Sequence, residues 1–65
     1  MNQWSVLNSL RQLTALDEEG AADVLPLCRE CIEEILPRLK SDLYENDPRA
    51  IRAAAALAYY KLTLK

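Results

Sequence analysis

Apolar side chains recur along this chain at helical intervals, in three blocks separated by polar breaks. In the first block Val6, Leu10 and Leu13 follow one another at steps of four and three, with Leu7 and Leu16 flanking them. That spacing predicts an amphipathic helix over about Trp4 to Leu16, for which Asn2 or Ser5 is a suitable cap. The break that follows, Asp17-Glu18-Glu19-Gly20, holds the only glycine of the chain and predicts a turn there. The alternative is a very short turn with Asp17 capping the next helix.

The second block runs from about Ala22 to Leu43. Val24, Cys28, Cys31, Ile35 and Leu39 form one stripe, Leu25, Ile32, Leu36 and Leu43 broaden it, and Arg29, Glu33 and Lys40 lie opposite. So broad an apolar stripe is a core-facing one. Asp23 is the expected cap, with Pro26 in the first turn, where a missing N–H costs little. Pro37 removes one backbone bond and crowds the turn before it. The apolar pattern continues beyond it, so a kink is expected there and not an end.

The third block has the clearest start signal. Asn46-Asp47-Pro48 places an acidic cap before a proline at the first helical position. The helix then extends to about Leu64, with Ile51, Ala54, Ala55, Ala58 and Leu62 on one side, joined by Leu57 and Tyr59. Arg49, Arg52, Ala56 and Lys61 fall elsewhere on its surface. No strand alternation, repeat or linker is present. The expected fold is an all-α, small three-helix bundle in one domain, 1–65, with the second helix kinked near Pro37. Its predicted core is Val6, Leu10, Leu13, Val24, Cys28, Cys31, Ile32, Ile35, Leu39, Ile51, Ala54, Ala55, Ala58 and Leu62.

Composition supports a folded chain: 51% of the 65 residues are hydrophobic and 28% charged. A domain this small buries only about 60% of the surface its unfolded chain exposes, so self-association is expected to supplement its stability. The net charge is −2 without histidine, and a mildly acidic chain lacks the basic stripe that nucleic-acid binding requires. The charge is unevenly spread. Seven acids against Arg29 alone occupy positions 17 to 34, whereas four bases and no acid occupy positions 48 to 65. One reading is complementary solvated faces within a single fold; the other is head-to-tail attraction between copies. The N-terminus lacks a basic stretch followed by an apolar one, and no apolar run approaches a membrane span. With two cysteines read as free thiols, the expected location is therefore a reducing cytoplasm, with no membrane partner.

Candidate chemistry is thin. Cys28 and Cys31 form a C-x-x-C, but both fall on the core-facing stripe and no strand precedes them, so they read as buried structural thiols. Zinc would require two further ligands from a second copy. Glu30, Glu33 and Glu34 read as a solubilising face. No nucleophile–base pair, histidine or phosphate loop is present, so no catalytic, cofactor-binding or metal-binding residues are assigned, no cofactor or small-molecule substrate is expected, and the chain is read as non-enzymatic. The small side chains from Ala53 to Ala56 permit close helix approach. Among the aromatics, Trp4 and one of Tyr59 and Tyr60 are natural interface anchors. The candidate interface is Arg49, Arg52, Ala56, Tyr60 and Trp4.

An acidic loop, Leu16-Asp17-Glu18-Glu19, precedes a helix carrying Val24-Leu25-Pro26-Leu27-Cys28. A polar break then leads into Asp47-Pro48-Arg49-Ala50-Ile51-Arg52-Ala53-Ala54-Ala55-Ala56-Leu57-Ala58-Tyr59-Tyr60. This arrangement resembles the small head–tail connector (adaptor) proteins of tailed phages and prophages, compact helical bundles whose last long helix is rich in alanine. The resemblance implies a structural subunit of ring or neck assembly that acts through helix–helix protein contacts, in the cytoplasm of a host cell or in a virion, with its own copies and phage portal or tail proteins as partners. The alternative is a small helical adaptor or regulatory module that binds one helix of a partner protein.

Overall fold

The computed structural model describes residues 1–39 and 46–64. Within them α1 spans Gln3–Leu13, α2 spans Glu18–Ile35 and α3 spans Pro48–Thr63, and a single 3-10 turn, Leu36–Arg38, follows α2. The described residues form a small all-α bundle in which each helix packs against the other two.

Each helix opens on a side-chain oxygen that accepts one of the otherwise unpaired N–H groups of its first turn. Asn2 Oδ1 takes the Trp4 N–H at 2.7 Å, Asp17 Oδ1 the Gly20 N–H at 2.7 Å, and Asp47 Oδ1 the Arg49 N–H at 2.8 Å. Pro48 occupies the first position of α3, as its fixed φ favours.

The second cap decides between the two sequence readings in favour of the alternative, Asp17 after a very short turn. Asp17, and not Asp23, starts α2, so the helix begins four residues before the expected Ala22. Gly20 lies inside its first turn and not in the connection. A side chain there would press on the cap, because an added Cβ would stand 3.1 Å from Asp17 Oδ1 and 3.4 Å from Leu16 Cδ2. Pro26 consequently sits in the helix interior and not in the first turn. It withdraws one bond from the Ala22 carbonyl, and both residues are exposed, so water can hydrate the freed oxygen. Pro37 does more than kink the second segment. The α-helix ends at Ile35, the proline enters the 3-10 turn, and Leu39 is extended with ψ 138. The expected continuation through Lys40 to Leu43 lies outside the described residues. α1 stops at Leu13, short of Leu16, because Thr14 is extended.

The C-terminal ends of α2 and α3 lie together, since Lys61 Nζ reaches both Glu30 and Glu34. At the opposite end Pro48, Ile51 and Arg52 share a depression with Ser9 and Gln12 of α1. Helices α2 and α3 therefore run in the same sense.

The core joins Val6, Leu7 and Leu10 of α1 to Ala21, Val24, Cys28, Cys31 and Ile32 of α2 and to Ala54, Ala55 and Ala58 of α3. Ala50 is also buried. Leu7, Ala21 and Ala50 were not in the predicted core. Leu13, which was, is 49% exposed at the end of α1, and Tyr59, expected on the inner side of α3, is 39% exposed. Ile35, Ile51 and Leu62 pack around the core edge, while Leu39 is half-buried.

Replacing Asp17 with alanine should lower stability by about 1 kcal/mol, the usual cost of losing an acidic cap, while Asp17→Asn should retain most of it. Urea unfolding followed by circular dichroism measures both; an unchanged midpoint for Asp17→Ala would show that α2 does not depend on this cap.

Candidate functional site

The third helix sorts its side chains into two faces. Ala50, Ala54, Ala55 and Ala58 turn inward and are buried, whereas Arg49, Ala53, Ala56 and Tyr60 are exposed. The latter follow at steps of four, three and four, which places them on one side of a helix. The result is an outward stripe with a base at its start, two small residues along its middle and an aromatic ring, 60% exposed, near its end.

The two arginines predicted for this surface differ. Arg49 is drawn back onto the cap of its own helix. Its Nε and NH2 groups reach the Asp47 carboxylate at 3.2 and 3.1 Å. The arginine contact holds the Asp47 carboxyl below its ordinary range. Arg52 makes no ion pair among the described residues. It flanks the stripe over a depression of about 310 Å³ shared with Ser5, Asn8, Ser9 and Gln12 of α1.

Trp4, the fifth predicted interface residue, lies on a different surface. It is 56% exposed and walls a groove of about 300 Å³ between α1 and α2, together with Leu7, Asn8, Arg11, Glu18, Ala21, Ala22 and Leu25. Arg11, at the end of the groove with Glu18, donates from NH2 to the Leu16 carbonyl at 3.3 Å. The sequence reading did not single out this groove. Its signal was the spacing of Glu18, Ala21, Ala22 and Leu25, one small-residue face that becomes visible only when α2 starts at Glu18. The predicted interface therefore divides: Arg49, Arg52, Ala56 and Tyr60 share α3, and Trp4 belongs to the α1–α2 groove.

The glutamates of α2 and the cysteines have structural surroundings. Glu30 and Glu34 both accept from Lys61 Nζ, at 3.1 and 2.6 Å. Two carboxylates one turn apart would repel each other, and the shared ammonium offsets this while tying α2 to α3. The two contacts, with Glu34 the larger contributor, hold the Lys61 pKa above its ordinary value. Cys28 and Cys31 are free thiols with no exposed surface. Burial raises the pKa of each; for Cys31 the nearby Lys61 charge offsets part of the effect. Among the described residues no three acidic, cysteine or histidine side chains converge into a group able to hold a metal ion. No helix of those residues is long and apolar enough to cross a membrane.

Comparison with known proteins returns nothing: no family model, curated protein or solved structure matches this chain.

Two measurements follow from these contacts. Cys28 and Cys31, buried and held as thiols, should react with a disulfide reagent at least about tenfold more slowly in the native protein than in denaturant; equal rates would mean the α2–α3 packing opens freely. A folded-state lysine pKa above the unfolded one contributes stability below about pH 10.5, and that contribution is lost as pH rises further. Lys61→Met should therefore lower the melting temperature at pH 7 and low salt, and the gap to the parent protein should narrow at high salt and above pH 10.5. A gap independent of both would place the effect in packing.

Proposed function

We propose that this chain is a non-catalytic contact subunit of a larger protein assembly, of the kind that joins head and tail in tailed phages. The observation that carries the reading is the outward stripe of α3. That face sets two exposed alanines beside an exposed tyrosine. Small side chains let a second helix approach closely, and tyrosine is enriched among residues that anchor protein contacts. The alanine-rich third helix behind an Asp-Pro cap supports the phage assignment through its resemblance to connector proteins. Portal and tail proteins are the partners that this resemblance names.

The groove around Trp4 favours a second reading, an adaptor that receives one helix of a partner. A channel between two helices with an aromatic wall and an alanine floor suits an amphipathic helix. The two readings differ in which surface works.

The experiment is co-expression with the products of the genes flanking this one, followed by size-exclusion chromatography. A portal, neck or tail protein should co-elute with the chain, and the double variant Ala56→Arg, Tyr60→Glu should weaken the complex at least about tenfold. Reversing Arg49 and Arg52 together should instead remove most of its salt dependence. Flanking genes that encode no virion components, or a complex indifferent to the α3 variants, would overturn the proposal.

A further inference from the structure

We infer that the outward stripe of α3 on one copy seats in the α1–α2 groove of a second copy, with Arg52 toward Glu18, Ala53 and Ala56 over Ala21 and Ala22, and Tyr60 against Trp4 and Leu25. The inference rests on reading the α3 stripe as a contact surface, and it names the partner.

Three matches support it. The first is length. The part of α3 that would enter the groove, from the flanking Arg52 to Tyr60, covers eight helical steps, about 12 Å, and Glu18 to Leu25 covers seven, about 10.5 Å. The second is shape. The groove has alanines on its α2 side and Leu7, Leu25 and Trp4 around them; the stripe has alanines at its centre and a tyrosine beyond them. Alanine facing alanine allows the short end of helix packing distances, about 8 Å between axes, and brings the Tyr60 ring within reach of the Trp4 indole, a favourable aromatic pairing.

The third match is charge, and it sets the direction. The groove opens at the start of α2, where Glu18 and Glu19 stand beside the cap; at the start of the stripe Arg49 is held on Asp47, and Arg52, which flanks it, carries the charge. Neither Glu18 nor Arg52 makes an ion pair among the described residues, although Arg52 also acts on Asp47 at longer range. Arg11 stands at the same mouth, but its guanidinium is turned toward the Leu16 carbonyl. Laid the other way round, the stripe would set Tyr60 among the acids and Arg52 toward Arg29, one turn beyond Leu25 on α2.

The two surfaces are distinct: the groove is lined by α1 and α2 alone, and the stripe is the exposed face of α3. One copy can thus give its stripe to one neighbour and its groove to another. The contact is heterologous, and it propagates or closes into a ring without a two-fold axis. One helix face in one groove is a small interface, so the association is weak, with dissociation constants in the micromolar range or above.

Sedimentation of the full chain and of two variants tests this. Ala22→Arg blocks the groove and Ala56→Arg blocks the stripe. Both positions are exposed on helices, and arginine is a good helix former, so circular dichroism and melting should match the parent. The parent should increase in average mass with concentration. Each variant alone should lose at least about tenfold in association, while an equimolar mixture should form a one-to-one heterodimer and nothing larger. Trp4→Ala paired with Tyr60→Ala repeats the test should either arginine variant unfold. A parent that stays monomeric to about 1 mM, a mixture that fails to pair, or variants that associate like the parent would each overturn the inference. Those outcomes leave a portal or tail complex untouched, whereas loss of that complex with pairing intact would strike only the head–tail reading.

Discussion

The close approach of α3 to the other two helices is the constraint on which the rest of the structure depends. The inner face of α3 carries only alanine at its buried positions, so the filling of the core falls to α1 and α2. The largest fully buried side chains there are Leu10, Val6, Cys28 and Cys31. A core this narrow has no room for large rings or for every leucine. Trp4, Tyr59, Tyr60, Leu13 and Leu64 stay outside. Small inner side chains and large outer ones are thus two consequences of one packing choice.

Parallel packing of α2 and α3 has an electrostatic consequence. The carbonyl ends of two helices lie side by side and their partial negative charges reinforce each other, at the end of the bundle where Glu30, Glu33 and Glu34 also gather. No base occupies the last turn of α2, while Lys61 occupies that of α3. Its ammonium sits between Glu30 and Glu34, so one side chain acts on both helix ends and on the carboxylate pair. The acidic and basic segments of the sequence are in this part reconciled within one molecule, as the first of the two charge readings expected. Arg52 and the acids at the start of α2 are not reconciled in this way, and that remainder gives the second reading its content.

The fold was legible where local chemistry and apolar periodicity agreed. Asp47 and Pro48 announced α3 to the residue, and the buried positions Val6, Leu10, Val24, Cys28, Cys31, Ala54, Ala55 and Ala58 followed from spacing alone. Errors arose where two signals competed. Gly20 was read as a turn because glycine usually punctuates, yet here its lack of a side chain makes room for the Asp17 cap. Pro26 argued for a late helix start, and an exposed position let it sit in the interior. Leu13 satisfied the period of α1 but stands at its last residue and is exposed there. The candidate surface on α3 was legible as composition. The groove was not, because it is formed by two helices and its floor depends on where α2 begins.

The separation of stripe and groove also limits what the assembly can be. A contact that places the same patch of both partners face to face is complete with two copies, and nothing then remains to bind a third. Here the surfaces left over by a small core belong to different helices and differ in form, one the exposed face of α3 with a base at its start and one a groove between α1 and α2 with an acid at its mouth. Covering both in one self-associating species requires each copy to have two neighbours, or one neighbour of its own kind and one of another. An isolated bundle of this size has little stability in reserve, so mass action from neighbours adds to it directly. In the assembly proposed above folding and association are coupled, because the alanines buried on α3 leave Trp4 and Tyr60 outside the core.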